Sequence, residues 1–213
     1  MPEIIILAMV FLFVAFRLWA VLGRRTGHEQ TIGNPAETIA RPSSAGSPDL
    51  QQPVPVSDPS VDPDALAGLR AIADADRGFD TARFLEGAKA AYRMILEAFW
   101  RGDEAELARL VDGDVREAFS QAIAERAAAG HVLDNRLVAI ERAMIDQARL
   151  AGQMAYITIR FDADIAAVTR DGEGNVIAGS LTDAVPTHDV WTFSRHVGAA
   201  DPNWTLIETD EAA

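Results

Sequence analysis

Within the stretch HDVWTFSRHVGAADPNW, His188 to Trp204, lie two of the chain's four histidines, two aspartates, a serine and two tryptophans. Side chains of these types could form a Ser-His-Asp hydrolase triad or a histidine-bound metal centre. Strand geometry separates them. Alternate residues of a strand face opposite ways, so His188, Val190, Thr192, Ser194 and His196 share one face, while Asp189, Trp191, Phe193 and Arg195 share the other. At ~3.3 Å per residue, His188 and Ser194 stand roughly 20 Å apart, too far for the hydrogen-bond contact that a triad needs. His188 and His196 are farther apart still, only His28 and His131 remain elsewhere, and the chain has no cysteine. No metal centre and no cofactor are expected. What survives is a general base tuned by burial in an apolar pocket, for which Asp189, His188, Asp162 and Tyr92 are the candidates, against the plainer view that Asp189 and His188 cap a strand end near Pro186.

Other apparent motifs fail on their spacing. DGEGNV, from Asp171, places acidic and amide side chains at alternate positions like a calcium loop, but Val176 stands where the loop's glycine belongs and Thr182 where its closing glutamate belongs. It reads as a turn. GxGxxG, Walker and GxSxG patterns are absent from the sequence, so nucleotide-binding and serine-hydrolase classes have no support. The formal net charge is -13. Residues 64 to 213 carry 15 basic and 26 acidic side chains, or -11, which disfavours nucleic acid and anionic lipid as direct partners.

The elements that would position these residues follow from periodicity. Asp80 can N-cap a helix in FDTARFLEGAKAAYRMILEAFWRGD, with Phe79 and Phe84 at the two positions of a hydrophobic staple and Gly102 past its end. Leu85, Ala88, Tyr92, Ile95 and Phe99 form its apolar stripe. A shorter helix is expected around Leu66, Leu69 and Ile72, another over Glu104 to Val111, and a fourth opened by Asp114 and Glu117 and stopped by Gly130. The period then changes to two. In QMAYITIRFDADI, Ala155, Ile157, Ile159 and Phe161 lie on one face. Val138 and Ile140 start an alternation that Ala143 and Ile145 resume out of phase, which predicts a bulge. Asp171 to Asn175 joins two more strands, and DPNW turns into a last strand, WTLIET. Helices followed by at least four antiparallel strands predict an α+β fold with helices on one face of a bent sheet.

The N-terminus has a different composition. Ile4 to Leu22 is an apolar run of about 28 Å as a helix, enough to span a bilayer. Arg17 and Trp19 suit the membrane interface, and with Arg24 and Arg25 they place the arginines on the C-terminal side. Glu3 before the run argues against a signal peptide. Residues 1–25 are therefore expected to be a single-span anchor with the N-terminus outside and the remainder cytoplasmic. Residues 26–63 are expected to be a disordered linker, because 31–63 hold seven of the ten prolines without an apolar period. Residues 64–213 are the folded domain.

With FDTARFLEGAKAAYRMILEAFWRGD, DVREAFSQAIAER, MAYITIRFDADI, DVWTFSR and DPNW in this order, residues 64 to 210 resemble the family named for the mitochondrial inner-membrane import-motor anchor. LGRRTG after an apolar run is similar to its bacterial, alphaproteobacterial-type adaptor members. The resemblance implies a nuclear-transport-factor-two-like or cystatin-like cone and a membrane-tethered adaptor that recruits a protein partner. It supplies no catalytic residues. The mitochondrial member's long charged chaperone-binding segment is replaced here by the anchor and linker, so chaperone docking does not carry over. The pocket or partner surface is expected at Tyr92, Phe99, Asp189, Trp191 and Phe193 on the concave face of the sheet, or on the exposed side of the Leu66–Ile72 helix. The alternatives are an isomerase- or dehydratase-like enzyme, or a protein that holds an apolar ligand or lipid chain.

Overall fold

A computed structural model describes residues 60–211. The expected anchor, with Arg17, Trp19, Arg24 and Arg25, and nearly all of the linker lie outside the described residues. Among the described residues, no helix is long and apolar enough to cross a membrane.

A short 3-10 turn, Pro63–Ala65, leads into α1 (Leu66–Ala75), followed by α2 (Thr81–Arg101), α3 (Glu104–Leu110) and α4 (Gly113–Ala128). Each of the last three begins on an aspartate that satisfies an otherwise orphaned helix-terminal N–H. Asp80 accepts from Arg83 N at 2.7 Å, Asp103 from Glu106 N at 3.0 Å and Asp112 from Val115 N at 3.0 Å. The cap of α4 is thus Asp112 and not the expected Asp114. Asp112 N donates to Leu206 O on the last strand, which fixes the chain just before the helix starts. The staple forms as expected, with Phe79 and Phe84 ring centroids 6.1 Å apart, and Gly102 ends α2 at φ 71.

The strands are β1 (Val132–Leu133), β2 (Arg136–Ala151), β3 (Met154–Arg170), β4 (Val176–His196) and β5 (Thr205–Glu211). All pairings are antiparallel. β1 and β2 lie along one side of β3, with β4 on its other side and β5 beyond β4. β2 contains the expected bulge, since its register slips between Ile140 and Arg142, and two further slips flank it. The phase differs in one respect. Leu137 is buried and Val138 exposed, because another slip separates Leu137 from Ala139. Ile157, Ile159 and Phe161 of β3 are completely buried beneath the helices, beside Trp191 and Phe193 of β4. The inner sheet face is consequently the core, not an open concave surface.

α1 lies so close to β2 that a methyl at Gly68 would overlap the carbonyl oxygen of Ala148. At the other edge, Arg126 Nη2 donates to the carbonyls of Phe99 and Trp100 at 3.0 and 3.3 Å, tying α4 to the end of α2. Ser60 and Asp62, expected within the linker, already belong to the fold. Ile145 N donates to Ser60 O and Asp62 N donates to Ile145 O, both at 2.8 Å.

Candidate functional site

His188, Asp189, Trp191, Phe193 and Ser194 all lie on β4, and its register with β3 assigns each to a face. Asp189 pairs with Phe161, Trp191 with Ile159 and Phe193 with Ile157, all in the buried layer or at its margin. His188 pairs with Asp162 on the outer face, and its Nδ1 lies 2.7 Å from Asp162 Oδ1 with the imidazole exposed. Neither residue caps a strand end. β4 runs through Pro186, which lies where β5 no longer covers the edge and where a missing N–H is tolerated. The outer face continues as a ladder of polar pairs, with Thr158 and Thr192 hydroxyls 3.0 Å apart and Arg160 2.7 Å from Asp146. A pair this exposed contributes little, so His188→Ala is expected to change folding stability by no more than about 0.5 kcal/mol, measured by urea unfolding. A loss several times larger would mean that this histidine has partners beyond Asp162.

Tyr92 and Asp189 come together from 97 residues apart. Tyr92 Oη donates to Asp189 Oδ2 at 2.6 Å. The phenol ring is completely buried, stacked on Phe161 at 4.4 Å and tilted against Trp191 at 4.6 Å. Burial pushes the Tyr92 pKa well above the ordinary phenol range, and the bond to the Asp189 carboxylate and its negative charge push it the same way. Thr187 acts in the opposite sense and is outweighed. The phenol therefore stays neutral and donates, and the arrangement locks α2 onto β3 and β4. Phe99 is not part of this group. It sits near the other end of α2, 5.0 Å from Phe119 and 5.3 Å beneath the Arg126 guanidinium.

What opens to the surface lies farther along α2, toward its N-terminus. A groove of about 460 Å³ runs between α2, α3 and the Pro202–Trp204 turn. Phe84, Phe193 and Trp204 form an aromatic floor, with Phe84 and Trp204 ring centroids 4.7 Å apart and Phe84 and Phe193 6.4 Å apart. Gly87 and Ala91 leave the middle wide, and Met94 and Leu110 border it. Arg83, Arg109 and Arg195 line it with Asp80 and Glu106. Tyr92 and Asp189 are not among its lining residues.

The cations of the groove differ in their commitments. Arg195 is nearly buried, ion-paired to Asp76 after α1, and lies 5.3 Å over the Trp204 ring. It ties the α1–α2 turn and the DPNW turn to β4. Its Nε is buried and has no hydrogen-bond acceptor among the described residues. Arg109 is 2.8 Å from Glu106. Arg83 is exposed, and among the described residues no carboxylate lies within ion-pair distance of its guanidinium. Of the residues expected at a pocket, only Phe193 lines this groove. Arg83, Gly87, Arg109 and Arg195 carried no sequence signal, because they meet only when β4 packs against α2 and α3, far from them in the chain.

This arrangement of four helices against a bulged antiparallel sheet accompanies a match between residues 65–211 and the family described as the Tim44-like domain. The chain belongs to the Tim44-like domain family. The resemblance in the helical and strand blocks is thus confirmed across nearly the whole described part. Another similar protein is an uncharacterized protein of Rickettsia prowazekii (strain Madrid E), 25% identical over 128 residues. That alignment covers 60% of this chain and 51% of the relative, so the chain spans about half the length of the curated relative it matches. Among solved structures, the intermembrane space region of the chloroplast protein ARC6 aligns with a TM-score of 0.46 at 20% identity, over 63% of this chain and 98% of that one. Within the Tim44-like domain of the present chain, the groove and the Tyr92–Asp189 pair are two places where polar chemistry meets the aromatic core.

Proposed function

We propose that this protein is a membrane-tethered adaptor: an N-terminal span holds it in the inner membrane, and the Tim44-like domain, a cone of the nuclear-transport-factor-two-like kind, recruits a protein partner on the cytoplasmic side. One observation carries the reading. The polar pair suited to acid–base work is closed on itself at the margin of the core, with the Tyr92 ring buried and Asp189 half-buried, whereas the open groove is aromatic, bordered by arginines and lined by neither Tyr92 nor Asp189. A general base must reach the proton it removes, and Asp189 is occupied by the Tyr92 hydroxyl. Aromatic and arginine side chains around a depression are the composition that protein-binding hot spots favour. Membership of the Tim44-like family supports an interaction domain, and the apolar run Ile4 to Leu22 followed by Arg24 and Arg25 supports the tether and its orientation.

The test is in-cell crosslinking of the full chain, compared with the same chain lacking residues 1 to 30. The expected result is a discrete adduct with one protein in the membrane fraction, lost or redistributed when the anchor is removed. The absence of any enriched protein with the full chain would overturn the adaptor reading, and a reporter at the C-terminus active only outside the cytoplasm would overturn the orientation.

A further inference from the structure

We propose that the groove between α2 and α3 takes a bulky apolar side chain from a partner segment that also carries a carboxylate within about one helical turn, and that Arg83 pairs with that carboxylate. The proposal rests on the adaptor reading and adds the place and the chemistry of the contact.

Shape comes first. Gly87 lies mid-helix on α2, and a Cβ built there meets nothing within 4 Å, so at this point the groove is open space over an aromatic floor. Glycine in a helix interior is unfavourable relative to alanine by roughly 0.5–1 kcal/mol, so the position gives up helix stability while keeping the groove wide. Such a depression admits a leucine- or phenylalanine-sized side chain against Phe84 and Trp204.

Charge decides the rest. The domain is strongly acidic, with 26 acidic against 15 basic side chains in residues 64 to 213, yet three arginines line this one groove. Its two acids are already engaged: Asp80 caps α2 through Arg83 N at 2.7 Å, and Glu106 holds Arg109 at 2.8 Å. Arg195 is held by Asp76. Among the described residues Arg83 is the groove's arginine with no carboxylate at ion-pair distance, and it stands one turn before Gly87, beside the positive end of a 21-residue helix. A basic peptide would meet the Arg83 charge at close range, while the acids that line the groove are already engaged. An acidic-apolar segment is favoured at the groove itself.

The experiment uses the full chain in detergent and three probes: a fluorescent peptide of alternating leucine and glutamate around one phenylalanine, the same peptide with lysine for glutamate, and a long-chain fatty acid as competitor. Fluorescence anisotropy is expected to show saturable binding of the acidic peptide, weakened by salt, with the lysine peptide at least about tenfold weaker. Gly87→Trp, which fills open space, is expected to abolish binding while the melting temperature is retained. Arg83→Glu, on the surface, is expected to reverse the preference between the peptides. Equal affinity for both peptides, undiminished binding by Gly87→Trp, or displacement of the peptide by the fatty acid at equimolar concentration would overturn the proposal, as would no binding at all. In-cell crosslinking of Gly87→Trp separates the two levels. An unchanged adduct means that the adaptor reading holds and this groove is not the contact, whereas no adduct even from the wild-type chain means that the adaptor reading itself fails.

Discussion

Gly68→Ala is expected to destabilise the domain by about 3 kcal/mol, the upper end for an overpacked site, and to lower its melting temperature by roughly 6–12 °C. Two effects oppose each other at this position. Alanine favours the helix by roughly 0.5–1 kcal/mol, which alone would stabilise. The added methyl, however, would overlap the carbonyl oxygen of Ala148 in β2, and backbone cannot rotate away as a side-chain tip can. α1 must move off the sheet, carrying Leu69 and Ile72, which are 6% and 0% exposed, out of the core. Steric overlap therefore outweighs helix propensity. Gly87→Ala is the matched control, since nothing lies within 4 Å of its Cβ and only the propensity gain remains. Urea unfolding of both variants is expected to give shifts of opposite sign. A Gly68→Ala protein as stable as the wild type would mean that α1 does not sit on β2 at this distance.

The contrast between these two glycines also marks where the sequence alone was informative. Asp80, Phe79 and Phe84 could be assigned in advance because a capping interaction and a staple are local, and all their partners lie within one or two turns. The inner face of β3 was equally legible, since Ile157, Ile159 and Phe161 alternate without interruption. Asp112 and Asp114 were not distinguishable by local rules. The choice is made by Leu206, some ninety residues away, whose carbonyl accepts from Asp112 N. Gly68 and Gly87 look alike in the sequence too, and only the neighbouring strand makes one of them obligatory. Tyr92, Asp189, Trp191 and Phe193 were each assignable to an apolar face, but their division into a hydrogen-bonded pair and a groove depends on strand register. The groove's arginines come from α2, α3 and β4, which no spacing rule connects.

The second large effect concerns the Tyr92–Asp189 pair. Tyr92→Ala is expected to cost about 3–5 kcal/mol, because a completely buried ring stacked on Phe161 and Trp191 leaves a cavity. Tyr92→Phe keeps the ring and should cost less, about 1.5–3 kcal/mol for a hydrogen bond to a carboxylate. Asp189→Ala should cost roughly 1–3 kcal/mol by leaving the phenol donor buried without its carboxylate, and the double variant should cost less than the sum of the two. The pH dependence has a definite sign. The folded-state pKa of Tyr92 is raised above its ordinary value of 10.0, so the stabilisation is fully present below that pH. As pH rises past 10.0 the unfolded chain ionises first, and stability falls; Tyr92→Phe removes this component of the alkaline loss. Urea midpoints measured on either side of that pH, for wild type and Tyr92→Phe, test the sign. Equal alkaline losses in the two proteins would contradict it. The same variants discriminate between functions, because the pair does not line the groove. A folded Tyr92→Phe protein is expected to keep its crosslinked partner and its peptide affinity, whereas an isomerase- or dehydratase-like enzyme that used this pair would lose turnover from the removal of one hydroxyl.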